Sequence, residues 1–298
     1  MFKRNPIPII LAVFCFVTAL CIMLYPAVSN HINEKYRSEI QTAYEKIIEQ
    51  SDELQLAEIK ERAIAYNQSI IPGTADANSF QKEAILAASE DYNTQLDPSG
   101  NGIMGYVEIP KINVNLPIYH GTEADTLEKG TGHLIGSSFP VGGEDTHTVI
   151  TGHSGMASQR MFTDLEQVEA GDVFYLHVLK DVLAYQVYDT EPVLPHDTER
   201  LRISGGEDLC TLITCYPTGI NSHRLLVQGK RIPYEAAQEA QVEIELEVTQ
   251  QTSNWQEQYL MGMLLGIVGV LVIALVMLAV VIYRRKHPDR KAGRYAKK

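Results

Sequence analysis

Cysteine is scarce in this sequence, which contains four among 298 residues. Cys15 and Cys21 lie in an apolar N-terminal run, so only Cys210 and Cys215 remain for the rest of the chain. Five positions along one strand would separate these two by about 16 Å, on opposite faces, whereas a disulfide requires Cα atoms within about 7 Å. A disulfide between them is therefore excluded. We expect Cys210 to be a core residue and Cys215 to be a free thiol.

The chain also lacks the patterns typical of metal sites, repeat proteins and nucleic-acid-binding proteins. None of its nine histidines stands in His-x-x-x-His spacing, so no metal site is predicted. No internal repeat is visible. Basic residues are few away from the two ends: without Lys3, Arg4 and the tail after Tyr283, the net charge of −12 becomes −21. We therefore expect no nucleic-acid partner.

Two apolar runs, Ile7 to Val28 and Leu260 to Tyr283, are each long enough to span a bilayer, which takes about 20 residues. Cationic residues flank both runs on their terminal sides, and such flanks favour the cytoplasm. The sequence thus predicts transmembrane helices over 1–29 and 259–284, a basic cytoplasmic tail over 285–298, and an acidic middle outside the cell. A cleaved signal peptide is the alternative for the first run; the run is too long for one and lacks a small-residue cleavage site, and only Tyr25-Pro26-Ala27 keeps this alternative open.

The periodicity divides the region between the two runs. Residues 30–98 form a helical segment with a possible lid, because apolar residues recur there at helical spacing, most clearly over Asn30 to Ser69. Residues 99–234 contain seven or eight short strands with Gly and Pro turns, which predicts a mostly antiparallel sandwich or barrel. Within it we expect a helix over Met161 to Val168. Residues 235–258 are an acidic linker.

The clearest chemical signal is a strand that ends at Pro217. Residues 211–214 favour β structure, and Pro217 cannot donate to a strand ladder. A turn and a second strand from Arg224 would place Cys215 opposite Arg224, with Cβ atoms about 5 Å apart. A thiol needs a nearby cation or base to react at neutral pH, so the pairing suggests chemistry. The alternatives are a buried small residue for Cys215 and a solvated surface charge for Arg224.

Among the histidines, His153 is the best candidate for the base. It follows the apolar strand Val149-Ile150 and is bracketed by Gly152 and Gly155. That position puts an imidazole on a sheet rim with room for a backbone to approach. The alternative is a turn histidine whose ring is satisfied by the backbone. The adjacent Ser154 is a poor nucleophile candidate beside it, since neighbouring side chains on an extended chain diverge.

These residues resemble the sortases, membrane-bound cysteine transpeptidases of Gram-positive bacteria. The resemblance runs from about Tyr92 to Tyr234 and points to class C, the pilin-polymerising branch, which two membrane spans also fit. The motifs that carry it are Thr211-Leu212-x-Thr214-Cys215 with Arg224, Thr151-Gly152-His153, Gly105 to Ile112, Leu116 to Thr122, Gly130 to Leu134 with Gly136-Ser137-Ser138, Phe162 to Leu165, and Asn221 to Val227.

The resemblance implies an eight-stranded sortase barrel that needs no cofactor. Cys215 would attack the Thr–Gly bond of an LPxTG-like sorting signal on a surface protein and form a thioacyl-enzyme. His153 would protonate the departing amine and deprotonate the incoming one, and Arg224 would hold the substrate and stabilise the oxyanion. Thr214 and the amide of Tyr216 are weaker oxyanion candidates. The acceptor would be a pilin lysine in class C, or a cell-wall peptide amine in an anchoring sortase.

One departure from class C concerns the lid. Sortases of that class often carry Asp-Pro followed by an aromatic residue upstream of the barrel, and residues 72–80 contain no such triplet. We expect either a lid anchored by Asp76 and Phe80 or none that plugs the site. Two other functions stay open on the residues alone: a surface cysteine hydrolase, and a non-enzymatic acidic scaffold with two membrane anchors.

Overall fold

The structure is a computed structural model that describes residues 7–70, 90–238, 261–270, 272–273 and 277. Its helices are α1 (Ile7–Gln50), α2 (Glu53–Ser69), α3 (Glu90–Thr94) and α4 (Ala124–Lys129). Single 3-10 turns cover Pro110–Ile112, Leu165–Gln167 and Glu199–Leu201. A further apolar helix, Met261–Val270, belongs to a separate C-terminal unit. The expected lid anchors Asp76 and Phe80 lie outside the described residues.

Eight strands close into one barrel, as predicted. Around the barrel the order is β1-β2-β3-β4-β7-β8-β6-β5, and β5 pairs with β1 to complete it. Their bounds are β1 Ile103–Ile109, β2 Val114–His120, β3 Thr131–His133, β4 Thr146–Thr151, β5 Val173–Val178, β6 Asp181–Val193, β7 Asp208–Tyr216 and β8 His223–Ile232.

The pairing is antiparallel except at two seams, β2 with β3 and β4 with β7. Parallel neighbours end at the same edge of a sheet, so β4 and β7 deliver the residues that follow them to one end of the barrel. Large apolar side chains fill the interior, because each strand turns alternate residues inward. Fully buried examples on the strands are Met104, Ile150, Phe174 and Tyr185, and the loop residues Phe139 and Phe162 are buried with them.

The predicted helix over Met161 to Val168 is wrong. Only Leu165–Gln167 is helical, as a 3-10 turn. Met161 adopts a left-handed φ of 46°, which ends any helix there, and the amide of Phe162 donates back to the carbonyl oxygen of His153 at 2.9 Å. The segment is therefore a closed loop that returns to the end of β4.

The membrane-spanning prediction is supported at one end. Helix α1 carries an apolar stretch long enough to cross a bilayer, and its side chains there are exposed, with Phe14 and Ile22 at 67% and 70%. The helix continues through residue 30 without a break, since it ends only at Gln50. A transmembrane helix at each end is not confirmed, because half of 259–284 lies outside the described residues.

Candidate active site

The β7–β8 hairpin places Cys215 directly opposite Arg224, in the predicted register. Both side chains are half-buried. The Arg224 guanidinium donates through Nη1 to the carbonyl oxygens of His223 at 2.9 Å and Asn221 at 3.3 Å. One side of the guanidinium is thereby fixed to the turn before β8. A thiol and a cation consequently share the open end of the hairpin.

Strand β4 brings His153 to the same place. It runs parallel to β7 with Thr151 paired to Ile213, so two further residues reach the level of Cys215. Gly152 is held on both sides: its amide donates to the Ile213 carbonyl oxygen at 3.0 Å, and its own carbonyl accepts from the Thr214 hydroxyl at 2.8 Å. A Cβ on Gly152 would lie 2.6 Å from the Phe162 ring. Only glycine therefore fits before the histidine.

The turn after His153 is fixed against the hairpin. The Ser154 hydroxyl donates to the carbonyl oxygen of Cys215 at 2.7 Å, so this serine supports the nucleophile's backbone. Gly155 has a φ of 73°, and a Cβ there would come within 2.9 Å of the Thr218 methyl group. These contacts hold the backbones that carry His153 and Cys215 in one relative position.

His153, Cys215 and Arg224 all line one groove of about 320 Å³. Its walls are mostly apolar, and among the described residues that line it Asp197 is the only acidic one. The apolar lining comes from helix α4, from the strand ends and from the segment between β6 and β7: Leu127, Leu134, Val193, Leu194, Pro195, Leu201, Ile213 and Leu226. The groove suits an extended apolar peptide laid beside the thiol.

Thr214 and Tyr216, the two weaker oxyanion candidates, are placed differently from His153, Cys215 and Arg224. Thr214 lines the groove, but its hydroxyl donates its proton to Gly152, which makes it a support for the histidine-bearing backbone. Tyr216 does not line the groove; its side chain packs partly against the barrel core. The segment from Val193 to Leu201 was missed as a groove wall, because its apolar residues carry no chemical signal. The one indication in the sequence was the apolar run Val193-Leu194-Pro195 at the end of a strand.

Other candidate histidines have structural partners. His133 and His147 are buried, and burial lowers the pKa of His133 to about 3 and also lowers the pKa of His147. His120 bonds to the carbonyl oxygens of Gly102 and Gln95. Within the described part of the chain, the His153 ring has no hydrogen-bond partner, which leaves it available to a substrate.

Cys210 is fully buried, as expected for a core residue. Burial, together with the negative charge of Asp208, raises the pKa of its thiol, so it stays protonated and unreactive. Both cysteines are free. Among the described residues no group of three or more His, Cys, Asp or Glu side chains could hold a metal ion. The groove's chemistry is therefore that of the Cys215 thiol with an imidazole and a guanidinium.

Comparison with known proteins gives one consistent family. A sortase domain model matches residues 107–232. Sortase D of Bacillus subtilis (strain 168) is 34% identical over 138 residues, covering 45% of this chain and 67% of that protein. Sortase A of Streptococcus agalactiae serotype III (strain NEM316) is 25% identical and covers 57% of this chain and 68% of that protein.

Solved structures extend the likeness to the fold. Sortase C of Streptococcus pneumoniae is 43% identical with a TM-score of 0.57, covering 66% of this chain and 97% of that one. Sortase C1 of Streptococcus agalactiae is 39% identical with a TM-score of 0.59, covering 65% and 98%. Sortase C-1 of Actinomyces oris is 43% identical with a TM-score of 0.53, covering 60% and 99%. These neighbours are class C enzymes.

Proposed function

The chain belongs to the sortase family of cysteine transpeptidases, and from that premise we propose that it polymerises pilins at the outer surface of a Gram-positive membrane. It cleaves an LPxTG-like sorting signal between Thr and Gly and transfers the new carbonyl end to the side-chain amine of a pilin lysine. The class C neighbours support this choice, since the Streptococcus pneumoniae enzyme has pilin substrate specificity.

The observation that carries the proposal is the shared groove of His153, Cys215 and Arg224. In the first half-reaction His153 takes the proton of the Cys215 thiol, the sulfur attacks the threonine carbonyl carbon, and the carbonyl oxygen becomes negatively charged. His153 then donates a proton to the glycine nitrogen as the C–N bond breaks, which leaves a thioester and a free amine.

The second half-reaction reverses these roles. The lysine amine attacks the thioester carbonyl, His153 takes a proton from the attacking nitrogen, and it returns this proton to the sulfur as the C–S bond breaks. The products are an amide bond between two proteins and a free Cys215. No atom has to be supplied by a cofactor, because both steps exchange one nucleophile for another at a single carbonyl.

Arg224 acts as the donor for the oxyanion and as a clamp for the substrate backbone. Its Nη1 is engaged with the turn, which sets the direction of the guanidinium and so preorganises the remaining N–H groups. The Tyr216 amide is a second, weaker donor. Thr214 supports the site through Gly152.

The apolar walls give a reason for the signal. The Leu and Pro of an LPxTG-like sequence bury apolar surface against Val193, Leu201 and Leu226, and each fully buried side chain of this kind contributes about 2 kcal/mol. Binding that apolar part in the groove positions the following Thr–Gly bond at Cys215.

The test is to incubate the full-length protein in detergent with a pilin that carries the signal and a second pilin that offers a lysine. We expect covalent ladders on denaturing gels, with Cys215→Ala inactive as the matched control. Mass spectrometry should find a Thr–Lys isopeptide bond. Free threonine carboxylate alone would identify a hydrolase, and a product linked only to an added cell-wall peptide amine would identify an anchoring enzyme; either result would overturn pilin polymerisation.

A further inference from the structure

Helix α1 is one uninterrupted helix that includes both the apolar stretch and the residues that contact the barrel. The helix runs from Ile7 to Gln50; its exposed large apolar side chains are densest from Leu11 to Val28, and only Ile32 and Tyr36 follow them on this helix. Polar residues begin at Ser29 and Asn30. The outer boundary of the bilayer therefore lies close to residues 28–29, and the residues that follow emerge from it in helical conformation.

The first barrel contacts of α1 are made to the loop that follows His153. Asn30 accepts through Oδ1 from the Arg160 amide at 3.1 Å, and Asn33 donates through Nδ2 to the Ser158 carbonyl oxygen at 2.9 Å. One turn later, Arg37 donates to Oε1 of Gln159 at 3.2 Å. This loop closes at His153 and thus belongs to the groove end of the barrel.

The later contacts of α1 are made to the other end. The Tyr44 hydroxyl donates to the carbonyl oxygen of Met104 at 3.0 Å and accepts from the amide of Leu179 at 3.0 Å. Met104 lies at the start of β1, and Leu179 lies in the turn between β5 and β6. Fourteen helical residues separate Asn30 from Tyr44, which is about 21 Å.

Strand directions show that these two sets of contacts lie at different ends. Strand β1 is antiparallel to β2, β2 is parallel to β3, and β3 is antiparallel to β4. Strands β1 and β4 therefore run in the same direction. Because β4 ends at the groove, the start of β1 lies toward the opposite end. Helix α1 thus descends the barrel from its groove end, and the membrane lies on the groove side.

An independent observation concerns exposed apolar residues. On the barrel, the exposed aliphatic side chains of the described residues are Leu194 and Ile220, at 49% and 72%. Leu194 follows the end of β6, and Ile220 lies in the β7–β8 turn, so both lie at the groove end. Residues 217–222 carry no charge, so this turn can enter a lipid interface without burying an ion.

We propose that the groove end of the barrel faces the bilayer, that α1 sets the distance between the barrel and the membrane, and that Ile220 contacts the lipid surface. This orientation rests on the proposed membrane location but not on the proposed reaction. It restricts the substrate to chains whose cleavage segment lies close to the membrane surface.

The test uses tryptophan fluorescence of the full-length protein in nanodiscs of phosphatidylcholine and phosphatidylglycerol. Trp255, the single native tryptophan, is replaced by Phe, and one tryptophan is introduced either as Ile220→Trp or at a control position away from the β7–β8 turn. The controls are Tyr188→Trp, in the middle of β6, and Tyr234→Trp, after the end of β8. When brominated phosphatidylcholine replaces the normal lipid, we expect the tryptophan at 220 to lose most of its emission and those at 188 and 234 to keep theirs. Equal quenching at all three positions, or none at 220, would overturn the proposed orientation.

A second variant tests whether α1 sets the distance between the barrel and the membrane. Seven polar helix-forming residues inserted after Ser29 would raise the barrel by about 10 Å along the helix axis, and should abolish quenching at position 220. Persistent quenching would show that α1 does not set the height. Cleavage of a soluble sorting peptide should survive the insertion, and its absence in the unmodified protein would count against the proposed reaction alone.

Discussion

The tripeptide Thr-Gly-His occurs twice in this barrel, and its two copies have different roles. Thr131-Gly132-His133 is strand β3, and Thr151-Gly152-His153 begins at the last residue of β4, which pairs with β3. Gly132 is even paired with Thr151. The two copies thus share a sequence and lie on paired strands, but His133 is the last residue of β3 whereas His153 lies two residues beyond the end of β4, and the surroundings of the two imidazoles differ.

His133 is enclosed. Its Nε2 donates to the carbonyl oxygen of Ser138 at 2.9 Å, which makes Nδ1 the acceptor for the Tyr92 hydroxyl at 2.9 Å. The Tyr92 and Phe139 rings stack on it. Both nitrogens are satisfied in the neutral form, and burial lowers the pKa of His133 to about 3. This histidine holds β3 to the segment that follows it.

His153 has a fixed backbone and a free ring. Gly152 is clamped by β7, and the turn after His153 closes through Phe162, yet the ring is half-buried at the groove. The comparison teaches that the tripeptide itself does not assign a role. The role depends on whether a neighbouring segment covers the imidazole, as Ser137-Ser138-Phe139 covers His133.

The largest expected effect comes from breaking the open copy. His153→Gln keeps the size and polarity of the side chain but cannot move a proton, so transfer should fall by about 10²–10⁴-fold. The melting temperature should be unchanged, because within the described residues the His153 ring makes no hydrogen bond that the substitution would remove. Gel ladders and a melting curve measure the two. A parallel loss of stability would mean that His153 is structural after all.

His133→Gln should show the reverse pattern. Gln cannot replace the imidazole ring that stacks on Tyr92 and Phe139, and the Ser138 carbonyl oxygen loses its positioned Nε2–H donor in a fully buried site, which together should cost about 3 kcal/mol. Urea unfolding measures this loss. Transfer activity per folded molecule should stay at the wild-type level, and a matching loss of activity in the folded protein would contradict the assignment of His133 to structure.

Much of this contrast could be predicted from the sequence, for local reasons. The β-favouring run to Cys215 and the stop at Pro217 fixed the hairpin register, and Cys215 pairs with Arg224 as expected. The glycines around His153 indicated a strand rim. What could not be predicted depends on distant parts of the chain: Tyr92 and Phe139 enclose His133, and the 193–201 segment forms a groove wall.

The pH dependence of stability sharpens the same comparison with a smaller effect. His133 has a pKa of about 3 in the folded protein, against 6.5 for an unperturbed histidine such as that of the unfolded chain. Below pH 6.5 the unfolded chain binds a proton on this histidine that the folded protein excludes. The stability is therefore fully present above pH 6.5 and is lost as the pH falls toward 3. Between pH 7 and pH 5 the free energy of unfolding should drop by about 2 kcal/mol from this group alone. Urea titrations at both pH values should show a smaller drop in His133→Gln, and equal drops would contradict this origin.

The smallest effect concerns how the open copy is positioned. Arg37 on α1 is buried and donates to Oε1 of Gln159 and to the sulfur of Met161, both in the loop that closes at His153. Tyr44, on the same helix, bonds only to the far end of the barrel. Arg37→Met and Tyr44→Phe should each cost about 1 kcal/mol of stability. Only Arg37→Met should also lower kcat several-fold and displace the pH profile of kcat/KM, because it loosens the loop that sets the position of His153, and Arg37→Lys should restore part of the loss. If both variants lowered kcat equally, the helix would stabilise the barrel as a whole and would not position the imidazole.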